Sequence, residues 1–144
     1  KITILLFLLS FSAFAQEVEW LNNIDSAKTA STESNKIILL KFSGSDWCAN
    51  CKRLDQSFFE TEAFKKFAKD NLILLEANFP MRKKNKLSDE QQAHNDQLAE
   101  KFNKQGNFPL VLILDEKGEL LREINTPQND IQAYFRQINA YNIK

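Results

Sequence analysis

Glycine and proline are scarce, three of each in 144 residues, which excludes collagen-like, linker-like and low-complexity architectures. Charge of one sign is missing as well. Nineteen basic residues balance nineteen acidic ones, so the chain lacks the basic excess that meets a phosphate backbone, and no nucleic-acid partner is expected. Soft metal ligands are few: one histidine, His94, and two cysteines, Cys48 and Cys51. A zinc site takes four protein ligands, or three and a water, so carboxylates or a second copy would have to complete one. No metal and no other cofactor is expected. A long apolar run is also absent. Ile2 to Leu9 falls well short of the about 20 residues that span a bilayer.

What is present reads as one globular domain. Hydrophobic residues at 43% and charged ones at 26% give enough apolar surface for a core, and the length suits a single one. Twelve Phe against two Tyr make the aromatic content core filler rather than a wet binding surface. The first fifteen residues differ from the rest. Lys1, the apolar run Ile2 to Leu9 and the Ala13-Phe14-Ala15 site read as a secretory signal peptide over 1–15, with the mature domain at 16–144. A short membrane anchor or a buried first strand are the alternatives. No cysteine follows the cleavage site, which disfavours a lipid anchor. The expected location is periplasmic or secreted, with no stable membrane insertion after cleavage, and the expected state is a monomer.

Apolar spacing sets the remaining elements. Trp20, Leu21, Ile24 and Ala27 recur at helical spacing, and the polar stretch Ser26 to Asn35 is fraying helix or loop. Ile37 to Phe42 is a buried strand. Gly44-Ser45-Asp46 is a turn whose Asp46 is expected to cap the helix that follows. That helix runs from about Cys48 to Asp70 with a break near Glu60, and Thr61 caps its second half. Leu72 to Phe79 is a second buried strand. Arg82, Lys83, Lys84 and Lys86 lie in a basic loop, most simply a solvated one. Ser88-x-x-Gln91 opens a helix to about Lys104, on which His94 is a partly buried packing residue. Pro109 to Leu114 and Glu119 to Ile124 form a hairpin around Gly118. Thr126-Pro127 opens a closing helix carrying Ile131, Tyr134, Phe135, Ile138 and Tyr141. The order is α-β-α-β-α-β-β-α, an α/β fold with helices for both sheet faces.

Two cysteines this close are a poor structural staple, because the stabilisation from a disulfide grows with the loop it closes. In an exported protein they are better read as reactive. At the start of a helix the first sulfur meets unsatisfied backbone N–H groups, which favour its thiolate, and the second lies one turn inside, within reach of the first. Lys52 adds positive charge beside them. Cys48 is then the nucleophile and Cys51 the resolving thiol of a thiol–disulfide exchange, and the sulfurs themselves carry the electrons.

Trp47-Cys48-Ala49-Asn50-Cys51-Lys52 after a buried strand, with Phe108-Pro109 opening another strand downstream, resembles the thioredoxin superfamily, in particular its exported bacterial members. The resemblance spans about Lys36 to Ile124. It implies a thioredoxin-like fold, a central mixed sheet flanked by helices on both faces. It implies a thiol–disulfide oxidoreductase acting on protein or peptide thiols and disulfides, with a further redox partner protein. It also implies a cis-Pro109 facing the cysteine pair, and a groove in which an extended substrate pairs with the backbone at Phe108. Trp47 is either a lid beside the sulfurs or a plain hydrophobic contact.

Three departures from the family pattern stand out. Lys41 occupies the place where thioredoxins bury an Asp, so the carboxylate of the usual proton relay for the resolving cysteine is missing from that position. Glu76 is the candidate substitute, its other reading being a solvated strand-end carboxylate. Ala49-Asn50 replaces Gly-Pro between the cysteines, and the stretch 81–97 is longer than in minimal thioredoxins, either contacting a partner or extending a helix. The rival functions are a non-catalytic thioredoxin-like binding module and a metal-binding protein.

Overall fold

The continuous apolar run after Lys36 becomes the centre of the sheet. The computed structural model describes residues 18–124 and 131–140. Its strands are β1 (Trp20–Leu21), β2 (Ile37–Ser43), β3 (Leu72–Asn78), β4 (Leu110–Leu114) and β5 (Leu120–Glu123). The α-helices are α1 (Ile24–Ser34), α2 (Ala49–Leu54), α3 (Glu62–Asn71), α4 (Asp89–Phe102) and α5 (Ile131–Asn139). The strands form one mixed sheet in the order β1-β3-β2-β4-β5. β3 runs parallel to β2 from Ile37↔Leu72 to Ser43↔Asn78, and β4 runs antiparallel to β2 with Phe42 opposite Leu110.

Strand parity sorts the side chains onto two faces. Leu39, Leu74, Val111 and Ile113 pack on one face with Phe58, Phe59, Phe64, Tyr134 and Ile138. Ile38, Leu40, Phe42, Leu75 and Leu112 pack on the other with Ala27 and Leu98. Phe58 is the hub of the first face, with ring centroids 4.1 Å from Tyr134, 4.9 Å from Phe64 and 5.1 Å from Phe59. Both faces are therefore covered, as the expected α/β architecture requires.

The predicted helix over 48–70 is interrupted where expected. α2 passes into one π-helical turn, Asp55–Phe59, and α3 restarts with the Thr61 hydroxyl accepting from the Phe64 N–H. The polar stretch 26–35 is helix to Ser34 rather than loop. Thr29, Thr32 and Ser34 turn their hydroxyls back onto the carbonyls of Asp25, Lys28 and Ala30, and Asn35 ends the helix in the left-handed conformation at φ 55°.

The expected start of the first helix fails. Trp20 and Leu21 are not helical; they pair parallel with Leu74 and Leu75 as an edge strand. The Asn23 carboxamide caps α1 by accepting from the Asp25 and Ser26 N–H groups, so the helix cannot begin earlier. The expected signal peptide, the Thr126-Pro127 cap and Tyr141 lie outside the described residues.

Candidate active site

The turn after β2 delivers Cys48 to the helix. The Gly44 carbonyl accepts from the Trp47 N–H at 3.2 Å and the Cys48 N–H at 2.8 Å. Cys48 itself, in extended conformation, is the N-cap of α2, and its Sγ accepts from the Cys51 N–H at 3.1 Å. The two cysteines form a disulfide with their Cα atoms 5.3 Å apart. Cys48 is 6% exposed and Cys51 1%, so both are buried and Cys51 lies deeper. A hydrogen bond donated to sulfur favours its charged form when the bond is reduced. Ala49, Asn50 and Lys52 are exposed around the pair.

Sheet order brings the second half of the site to the first. Phe42 at the end of β2 lies opposite Leu110, which places Pro109 beside the turn carrying the cysteines. The Phe108–Pro109 peptide bond is cis. The Trp47 ring meets Phe108 edge-on at 5.3 Å, Phe108 meets Phe79 at 5.6 Å, and Phe79 stacks on Phe42 at 6.4 Å. The Trp47 indole donates to the Phe79 carbonyl at 2.7 Å, yet 43% of the residue stays exposed. Trp47 is thus held against Phe108 and Phe79 while presenting an open apolar face. Gly44 makes room for it, since a Cβ there would lie 2.3 Å from the ring.

Asp46 corrects the expectation of a cap. Its carboxylate turns away from α2 and accepts from the Met81 N–H (2.9 Å), the Arg82 N–H (3.0 Å) and the Asn85 side-chain amide (2.8 Å). The Met81 N–H and then Asn85 hold its carboxyl below the ordinary carboxylate value, against an opposing push from burial. Beside it, the Ser45 N–H donates to the Asn78 side-chain oxygen at 3.0 Å, and the Asn78 amide donates to the Ser45 hydroxyl at 2.8 Å. The basic loop is therefore tied to the cysteine turn.

Lys41, in the place of the family's buried acid, is 5% exposed on the sheet face covered by α2 and α3. Its ammonium contacts Asp55 at 2.7 Å and Glu76 at 3.1 Å, and lies 4.3 Å from the Trp20 ring centre and 5.0 Å from that of Phe59. Glu76 is thus not a merely solvated strand end. Asp55 follows Cys51 by four positions along the helix, which puts both on one face. That spacing was readable in the sequence, whereas Phe79, Asn78 and the Gly44 contact carried no local signal. His94 sits away from this cluster, half-buried, its Nε2 accepting from the Ile24 N–H at 3.2 Å.

Comparison with known proteins agrees with this geometry. A family model described as thioredoxin-like matches residues 19–116. The chain is 29% identical over 126 residues to the disulfide bond reductase DsbH of Chlamydia pneumoniae, covering 88% of this chain and 74% of that protein. The solved structure of a DsbH oxidoreductase superposes with a TM-score of 0.77 at 28% identity, over 88% of this chain and 85% of the other. A thioredoxin from Thermus thermophilus shares the fold alone, with a TM-score of 0.64 at 8% identity and 87% of each chain covered. With its cis-proline opposite a Trp-Cys-x-x-Cys-Lys turn, the chain belongs to the thioredoxin-like family of thiol–disulfide oxidoreductases.

Proposed function

We propose that this oxidoreductase works as a reductase of protein or peptide disulfides outside the cytosol, released from a leader at 1–15 as a domain of residues 16–144. In the reduced protein the Cys48 thiolate attacks a substrate disulfide. A Cys48–substrate bond forms, the substrate S–S bond breaks, and one substrate thiolate leaves. Cys51 then attacks the Cys48 sulfur, the second substrate thiolate leaves, and the Cys48–Cys51 disulfide remains. The substrate has gained two electrons and two protons. A dithiol partner protein restores the dithiol by the reverse exchange.

Each remaining site residue has a place in this scheme. Trp47, Phe108 and Pro109 line the groove for an extended substrate, whose backbone pairs at Phe108. Lys52 supplies positive charge near the thiolate. Glu76, with Asp55, holds the Lys41 ammonium, and Asp55 lies one helical turn beyond Cys51, so this cluster contributes to the local charge that the resolving sulfur meets. No helix among the described residues is long and apolar enough to cross a membrane.

The observation that carries the reading is the Cys48 sulfur N-capping α2, together with the cis Phe108–Pro109 bond at the start of the strand paired with β2. The reductive direction draws on the name of the Chlamydia relative. Two measurements test it. Cys48→Ser should fold and lose all exchange with peptide disulfides, while Cys51→Ser should accumulate a mixed disulfide. Equilibration of the couple with glutathione should give a potential near the reducing end of the family range, about −270 mV. A value near the oxidising end, about −120 mV, would reverse the direction, and a wild-type protein inert towards disulfides would leave only a binding module.

A further inference from the structure

Between Glu76 and Asp89 the chain has no acidic residue and four basic ones: Arg82, Lys83, Lys84 and Lys86. In a chain of zero net charge this is a local excess, and all four side chains are exposed. A solvated loop would carry such charges at no fixed place. This loop is fixed. Asp46, two positions before Cys48, is 8% exposed and spends both carboxylate oxygens on the Met81, Arg82 and Asn85 donors. The Trp47 indole and the Ser45–Asn78 pair anchor the strand end that leads into the loop. Lys83 to Asn85 close a short 3-10 turn. Lys86 shares its charge with Asp89 at 3.5 Å and Arg82 lies near Asp46, but Lys83 and Lys84 have no ion pair among the described residues. On the same rim Met81 is 75% exposed and Trp47 43%.

We propose that this pinned loop is a specificity rim that selects substrates whose disulfide is flanked by acidic residues, with Met81 and Trp47 taking an adjacent apolar side chain. The inference rests on the oxidoreductase reading and adds the substrate class to it. Cations on a loop anchored to Asp46, two positions before Cys48, raise the local concentration of an anionic segment, and rim charges of this kind act on encounter and on its salt dependence. The geometry favours a polypeptide over an anionic lipid surface. The cations sit on a loop whose Met81 and Arg82 N–H groups and Asn85 amide are hydrogen-bonded to Asp46, not on the polar face of an amphipathic helix of the sort that lies in a membrane interface.

The test uses the reduced full chain and three peptides sharing one disulfide, flanked by Asp, Ser or Lys residues. The second-order reduction rate should fall in the order acidic, neutral, basic. The acidic peptide should react about tenfold faster than the basic one at low ionic strength, and the gap should close as salt rises. In the variant Lys83→Glu/Lys84→Glu the order should invert. Equal rates, or a preference for the basic peptide, would overturn the rim while leaving the oxidoreductase reading intact. Failure to reduce any of the three would remove that reading, and the rim with it. Binding to vesicles of anionic lipid that is abolished by the same variant, without any peptide selectivity, would assign the cations to a lipid surface instead.

Discussion

Gly44→Ala tests how the site is assembled. Gly44 is buried, and its φ is outside the left-handed region, so alanine meets no backbone penalty there. The obstacle is steric: the new methyl would lie 2.3 Å from Trp47 Cε2 and 2.6 Å from Cζ2 and Nε1. Either the ring stays and the turn is overpacked, at about 1–3 kcal/mol, or the ring swings into solvent. Swinging out forfeits the indole bond to the Phe79 carbonyl, about 0.5–1.5 kcal/mol, and the edge contact with Phe108, about 0.5–1.5 kcal/mol. Both routes predict a loss of about 1–3 kcal/mol, measured by urea unfolding of the oxidised protein. The decisive arm is a double-mutant cycle. In a Trp47→Ala background these three contacts are gone, so the Gly44→Ala penalty should nearly vanish and the coupling should equal it. An unchanged penalty in that background would refute the reasoning and put the cause in the backbone of the turn.

Asp46 gives a pH prediction. Its carboxyl is depressed in the folded protein, so its stabilisation is full above its ordinary value of 3.8 and is lost as pH falls through the lower folded value. The gap in urea midpoint between wild type and Asp46→Asn should therefore be constant near neutrality and shrink in strong acid. A gap independent of pH would deny the carboxylate its role. Lys41→Met should destabilise by about 2–4 kcal/mol, because it leaves Asp55 and Glu76 without their shared cation in a partly buried site. Lys41→Arg should recover part of that loss, and a Met variant as stable as wild type would show that the cluster contributes nothing net.

Much of this protein is legible in its sequence because much of it is local. Ile37 to Phe42 and Leu72 to Asn78 are strands in the structure because short, continuously apolar runs suit a sheet covered on both faces. Thr61 and Ser88 cap their helices through bonds to the residue three positions on. The cysteine pair is readable for the same reason, since its spacing and its place at a helix start are properties of a few consecutive residues. Tertiary structure decided what depends on partners far along the chain. Trp20–Leu21 is a strand only because the free edge of β3 takes up its hydrogen bonds, and no pattern in a two-residue strand announces that. Asp46 looked like a helix cap, yet its donors lie 35 to 39 positions away. Lys41 looked like a missing acid, and only strand register and the helix crossing above it show two carboxylates gathered around its ammonium. Periodicity and capping reach three or four residues, whereas sheet order sets which distant groups meet, and in this protein sheet order ties the basic loop and the cis-proline to the cysteine turn.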